Sequence, residues 1–338
     1  MSVPVFRFMV TFAALIGLLA TRSESGMGGE DESLESPATD RSYPNLRLPT
    51  LGGRQFWGDV CYLRGWRIQH HVLTGHYRLL DPDDVRRAWG TEAACRSELQ
   101  RVRKAHGLTP DTGKVVVVVH GIIRSSKSFS RMRVAMERDG YTVVGFDYPS
   151  TRVTILDSAE YLRRVIESLN GASEINFVVH SMGGLIVRTY LLHGTDPRIR
   201  RMVMLGVPNQ GANMANVVQS NPLFKLLFGP AGQQLIEGPE GFVCGLPTPS
   251  FEFAVVAGAR GTDDGWNPLI EGDDDGTVEV ENTRLPGATD FMTVCGLHSF
   301  LMDREDVIDA TCRFLNSGAL RETGLREPIA VTASSKQD

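Results

Sequence analysis

The chain lacks the marks of most cofactor- and metal-dependent chemistry. No GxGxxG follows a β-like run, and no Walker-type loop is present to cradle a phosphate. Neither cysteine nor histidine occurs at zinc-binding spacing. Charge of one sign is not concentrated, because the formal net charge of -5 comes from mixed signs along the chain. Nucleic-acid recognition needs a basic patch or stripe, so that class is excluded. Internal repeats are absent. The apolar run near the start is too short to cross a bilayer comfortably. What the chain does have is 42% hydrophobic residues over 338 positions, enough for a sizeable core in one large domain or two smaller ones.

That apolar run spans Phe8 to Ala20, directly after Arg7. Its length is that of a signal-peptide core. The following Thr21-Arg22-Ser23 is polar and offers no sharp cleavage site, so residues 1–25 read as a signal peptide or an uncleaved membrane anchor. No cysteine follows the run to accept a lipid. Residues 26–42, rich in Gly, Ser, Glu and Asp, read as a flexible linker. An exported protein can form disulfides, and Cys61–Cys95 and Cys244–Cys295 are candidate pairs. Burial as an apolar residue is the alternative, and it suits Cys312 best.

Residues 43–113 read as an amino-terminal extension. Trp66 to Leu73 alternates in part, Thr74-Gly75 marks a turn, and His76 to Leu80 follows, which predicts a strand or hairpin. Thr91 to His106 has helical composition, with Ala94, Leu99 and Val102 as expected inner positions. From residue 114 to 317 a regular alternation appears. Val115 to Val119 is a β-branched run with no polar face, the pattern of a strand buried on both sides. Further strands are predicted at Tyr141 to Phe146, Ile175 to Val179, Arg201 to Leu205, Phe253 to Ala257 and Met292 to Cys295. Helices are predicted at Ser126 to Arg138, Gly184 to Leu192 and Arg304 to Leu315. Between Leu156 and Leu169, apolar residues at three- and four-residue spacing mark one more, amphipathic, helix with Leu156 on its inner face. Strands alternating with helices imply right-handed βαβ units and a mostly parallel sheet with helices on both faces. Residues 209–250 interrupt the rhythm with the apolar stretch Pro222 to Phe228, and read as a cap or lid. Residues 318–338 read as a loose tail.

Val179-His180-Ser181-Met182-Gly183 stands between a predicted strand and a predicted helix. A serine at such a turn is held in a strained conformation with its hydroxyl clear of the sheet, the setting of a nucleophile elbow. The hydroxyl needs a base, normally histidine, and the imidazole needs an acid partner. Downstream of Ser181 the only histidines are His193 and His298. His193 lies about three turns along the same helix and is too far away. His298 follows the last strand, at the sheet end where open α/β sheets bind ligands. In the Gly-flanked run Asp273-Asp274-Asp275, Asp275 is the chosen acid, with Asp274 and Asp273 as fallbacks. A calcium site on the spare carboxylates is the weaker alternative, since too few ligands can be named. The oxyanion donors expected are the backbone N–H groups of Met182 and of Ile122 in the loop His120-Gly121-Ile122-Ile123. His120 reads as a structural loop residue and His180 as packing, because neighbouring strand residues face opposite ways.

Taken together, Val118-Val119-His120-Gly121, His180-Ser-Met-Gly-Gly184, Leu205-Gly-Val-Pro-Asn-Gln-Gly211, Asp275-Gly-Thr-Val278 and His298 resemble the α/β-hydrolase superfamily, in its lipase and carboxylesterase branch. The likeness runs from about residue 114 to 316. Val179 departs from it, standing where the branch usually has glycine. The resemblance implies an α/β-hydrolase fold, a Ser-His-Asp triad of Ser181, His298 and Asp275, and no cofactor or metal. It leaves residues 43–113 unexplained.

Three functions compete at this point. The first is a serine hydrolase that cleaves carboxylic esters through an acyl-enzyme on Ser181, acting on a small-molecule or lipid ester, with contact at a membrane or lipid interface. The second is an acyltransferase or thioesterase using the same triad. The third is a non-catalytic binding protein on a hydrolase scaffold.

Overall fold

The computed structural model describes residues 54–211, 229–232, 234 and 241–331. The signal or anchor segment 1–25, the linker 26–42 and most of the 209–250 insertion, with its Pro222 to Phe228 stretch, lie outside the described residues.

The valine run forms β5 (Gly113–Val119), whose last five residues are at most 1% exposed. Its side chains alternate: Val115, Val117 and Val119 enter one hydrophobic core, Val116 and Val118 another. A strand with two apolar faces requires cover on both, and it receives it. β5 lies in a six-stranded, wholly parallel sheet with β6 (Thr142–Phe146), β7 (Ala172–His180), β8 (Ile199–Leu205), β9 (Glu252–Ala259) and β10 (Asp290–Cys295). The strand order is β10-β9-β8-β7-β5-β6. On one face α2 (Ser130–Arg138) and α5 (Glu305–Ser317) cover the sheet through Met132, Met136, Val307 and Phe314. On the other, α3 (Ile155–Ser168) and α4 (Met182–Tyr190) do so through Leu162, Ile166, Leu185 and Ile186. The chain order reverses between β5 and β7, so the loops after these two strands open at a topological switch point.

Helix α3 begins with a capping box, in which Thr154 and Asp157 satisfy each other's backbone N–H. Its buried stripe is Ile155, Ala159, Leu162, Val165 and Ile166. Leu156, expected inside, faces outward and is 48% exposed, because Ile155 starts the stripe one residue earlier.

The extension is more ordered than its sequence pattern suggested. The expected hairpin is present as β2 (Trp66–His71) and β3 (Tyr77–Leu80), but β1 (Trp57–Leu63) and β4 (Arg86–Gly90) flank it in an antiparallel sheet of order β1-β2-β3-β4. Helix α1 (Glu92–His106) buries Cys95, Leu99 and Val102 against this sheet. Ala94, expected on that face, is exposed, since the stripe at positions 95, 99 and 102 leaves it on the far side. The extension packs its β1 on α3: a Cβ added at Gly58 would lie 2.8 Å from the Tyr161 ring, so only glycine permits this approach. Buried polar groups join the two parts. Asp59 N–H donates to the Asp147 carbonyl at 2.9 Å, and Asp147 N–H returns a bond to Asp59 Oδ2 at 2.7 Å. Arg67 donates to Asp147 at 3.0 Å and also pairs with Asp84.

Two expectations are corrected here. All five cysteines are free thiols, so neither Cys61–Cys95 nor Cys244–Cys295 is bridged. Cys61 and Cys95 instead pack as apolar residues in the small core of the extension, and burial pushes the Cys95 thiol up to about 12. The exposed thiols of Cys244 and Cys295 donate to the carbonyls of Gln210 and Arg260 respectively. The tail is anchored as far as it is described. Leu320 is fully buried, its N–H donates to Asp290 at 2.7 Å, Arg321 pairs with the same carboxylate, and Ile329 bonds to Ala288 and Gly287.

The ends of the insertion are fixed by one buried cation. Arg188 of α4, 2% exposed, donates to the carbonyls of Asn209, Leu246 and Pro247. A guanidinium has five donors in a fixed fork, so one side chain ties both ends of the insertion to the helix behind Ser181.

Candidate active site

Ser181 sits between β7 and α4 at φ 54 and ψ -129, a left-handed conformation rare for a residue with a side chain. Two features hold it there. Its N–H donates to the Leu205 carbonyl at 3.0 Å, and its carbonyl accepts from Gly184 N–H at 3.0 Å. The helix also runs so close to the end of β5 that a Cβ at Gly183 would meet the Val119 carbonyl oxygen at 2.4 Å. Glycine at 183 is therefore required by the turn. Val179, the departure from the family pattern, points into the main core with no exposure, so its bulk lies away from the turn.

The expected acid and base, Asp275 and His298, lie together. His298 Nδ1 lies 2.7 Å from Asp275 Oδ2, and the His298 N–H donates to the Asp275 carbonyl at 2.8 Å. The second carboxylate oxygen of Asp275 accepts from the N–H groups of Thr277 and Val278 at 3.0 and 2.8 Å. The Asp275 carboxylate is thus held by the imidazole and two backbone N–H groups, and the residue is 1% exposed. With Nδ1–H spent on Asp275, Nε2 is the ring nitrogen left to take a proton. The other two aspartates have different partners. Asp273 accepts from the backbone of Arg260 and Gly261, and Asp274 from that of Asn267 and Gly276. Both therefore serve to shape the loop.

Leu205 and Gly206, at the end of β8, bring Ser181 to this pair. Leu205 holds the Ser181 N–H, and the next residue lies beneath the imidazole: a Cβ at Gly206 would be 3.1 Å from both Asp275 Oδ2 and His298 Nδ1. The loop after β5 closes the other side. A Cβ at Gly121 would stand 3.0 Å from Ser181 Cβ and 2.9 Å from His180 Nδ1, so its backbone rests directly on the elbow. Ile122 follows, packed against the main core. Met182 occupies the first helical position, where a backbone N–H has no intrahelical acceptor. His193 is exposed beyond the end of α4.

Two histidines frame the site. His120 stacks on Tyr148 at 4.2 Å, donates from Nδ1 to the Gly121 carbonyl, and has its own carbonyl held by the Tyr148 hydroxyl. It is built into the loop. His180 does pack, but its packing partner is His298: the rings are 4.6 Å apart, and His180 Nε2–H donates to the His298 carbonyl at 3.0 Å. Burial, reinforced by the neighbouring imidazole of His298, holds His180 well below the usual histidine range, so it stays neutral.

The comparisons with known proteins agree with this architecture. A family model described as the alpha/beta hydrolase fold matches residues 114–226. The chain has the α/β-hydrolase fold. Among solved structures, this α/β-hydrolase is similar to the Bacillus licheniformis lipase BlEst2 in its propeptide form, at 22% identity and a TM-score of 0.50, over 67% of this chain and 54% of the lipase. It thus spans about half the length of that lipase. A thermophilic esterase from Thermogutta terrifontis is also similar, at 16% identity and a TM-score of 0.44, over 61% of this chain and 90% of the esterase. No curated protein sequence matches the chain.

Four contributors to this site are not visible as such in the sequence. His180 was read only as packing. Arg124, on the loop after β5, has a buried Nε without a hydrogen-bond partner, and its charge bears on His180. Gln55 and Ser150 reach the same loop from two other parts of the chain. The first is marked by adjoining the serine; the other three leave no mark in the local pattern.

Proposed function

We propose that this α/β-hydrolase is a serine hydrolase that cleaves carboxylic esters. Ser181 is the nucleophile, His298 the general base, and Asp275 the residue that orients and stabilises the imidazolium. The observation that carries this reading is the buried His298–Asp275 pair at 2.7 Å, set over the same strand end that holds the strained Ser181. Substrate class is argued from these groups, since the fold alone hosts many reactions.

In the first half-reaction the Ser181 oxygen attacks the ester carbonyl while its proton passes to His298 Nε2. The carbonyl electrons move to oxygen, which the N–H groups of Ile122 and Met182 stabilise. Collapse of this intermediate breaks the bond to the alcohol, which leaves with the proton from His298. Water then repeats the sequence on the acyl-enzyme, releasing the acid and restoring Ser181. The substrate is a small-molecule or lipid ester, and the apolar run at residues 8–20 supports a protein exported or anchored at a membrane.

The test is Ser181→Ala, assayed with a short-chain nitrophenyl ester. The variant folds and loses hydrolysis; undiminished turnover would assign the activity elsewhere.

A further inference from the structure

The loop that follows β5 carries one of the two proposed oxyanion donors, and its conformation is costly. Ile123 sits at φ 59, in the left-handed region that a β-branched residue avoids. Its side chain is 43% exposed, so packing does not account for the conformation. Polar ties must hold it. The Ile123 N–H donates to Ser150 Oγ at 3.0 Å. Ser150 has no exposed surface, so water cannot replace either of its partners. Its hydroxyl hydrogen goes to Gln55 Oε1 at 2.8 Å, which turns an oxygen lone pair toward Ile123. Gln55 also accepts from the Thr151 hydroxyl at 3.3 Å and donates from Nε2 to the Arg124 carbonyl at 3.4 Å.

The far end of the loop is tied in the same manner. Ser126 N–H donates to Asp147 Oδ1 at 2.7 Å, while Arg67 holds the other oxygen at 3.0 Å and Asp59 holds the Asp147 backbone. Gln55, Asp59 and Arg67 all belong to the extension that the hydrolase pattern left unexplained. Removing the Gln55 acceptor leaves the Ser150 hydroxyl hydrogen without its partner and free to rotate, and in the orientation that points it at Ile123 the oxygen no longer accepts from the Ile123 N–H.

We infer that Gln55 of the amino-terminal extension is a positioning residue: through the buried hydroxyl of Ser150 it holds the strained Ile123 peptide, and with it the Ile122 N–H, in the geometry acyl transfer requires. The extension is then part of the catalytic apparatus. The catalytic half of this inference rests on the serine-hydrolase reading above; the structural half does not.

Gln55→Leu removes the acceptor at nearly constant volume, and Gln55→Glu retains it. Three quantities are measured on the full chain: sites titrated by a fluorophosphonate, kcat per titrated site with a nitrophenyl ester, and amide hydrogen exchange in peptides covering residues 120–126. Gln55→Leu lowers kcat per titrated site about tenfold with KM little changed, and speeds exchange in that segment. Gln55→Glu keeps most of the per-site kcat. A Gln55→Leu enzyme with wild-type per-site kcat overturns the inference, including the case where activity falls only because fewer sites titrate. Should the wild type hydrolyse no ester, the serine-hydrolase reading fails by itself. Exchange then decides whether Gln55 holds the loop, unchanged exchange overturning that as well.

Discussion

His180 and His298 lie with their rings 4.6 Å apart, and the His180 ring donates a hydrogen bond to the backbone of its neighbour. The residue beside Ser181 therefore holds the proposed base. The opposite edge of the His180 ring faces Gly121, so one neutral imidazole spaces the loop after β5 from His298. His180→Ala opens a cavity between them and leaves the His298 carbonyl without its donor. The expected result is a kcat about tenfold lower, with KM little changed and a stability loss of about 1–3 kcal/mol. Steady-state kinetics and urea unfolding measure the two effects separately.

Among the three adjacent aspartates only Asp275 reaches the imidazole. An amide there is neutral and does not stabilise the imidazolium as a carboxylate does, and its NH2 group can donate to Nδ1, which favours the wrong tautomer. Asp275→Asn should lower kcat by about 10⁴. The Asp273 carboxylate accepts from the backbone N–H groups of Arg260 and Gly261, away from the imidazole, so Asp273→Asn should leave kcat little changed. Parallel assays of the two variants distinguish a carboxylate that acts on the base from one that shapes the loop.

The elbow stores strain that glycine would not feel. Ser181 at φ 54 carries a penalty of about 1 kcal/mol or more. Ser181→Gly should therefore unfold at a higher temperature than Ser181→Ala, both variants being inactive. Thermal melts of the two, at one pH, measure the difference.

Asp59 gives stability a pH dependence of unusual sign. Burial raises its carboxyl to about 7, against the attraction of Arg67. The folded protein then binds a proton that the unfolded chain has released above about pH 4, so this contribution is full below that point and is lost as pH rises toward 7. Asp59→Asn removes the dependence. The stability of the variant relative to wild type should be greater at pH 8 than at pH 5, by up to a few kcal/mol. Urea denaturation at the two pH values reads this directly.

The sheet was legible because its signal is local and apolar. Val115 to Val119 has no polar face, which specifies a strand covered on both sides, and the helices around it show apolar stripes. Ser181, Asp275 and His298 stood out because each lies at a turn and in a fixed chain order. The extension was harder to read, since part of its interior is polar. Asp59, Gln69 and Arg78 are buried through bonds to one another or to Asp147, and such residues look like surface in a hydropathy pattern. For the same reason nothing near Gln55 reveals that it reaches Arg124 across 69 residues. Leu320 was lost among glycine, serine and arginine, because the partner that fixes it is Asp290 on a strand edge. Long-range polar pairing leaves no periodicity to find.

The most direct measurement is to treat the wild type, Ser181→Ala and His298→Ala with a fluorophosphonate and map the adducts by mass spectrometry. The account predicts one adduct, on Ser181 of the wild type, none at that position in Ser181→Ala, and labelling slowed by about 10³-fold or more in His298→Ala. An unlabelled Ser181 in folded wild-type protein, or equal labelling rates with and without the His298 imidazole, would contradict it.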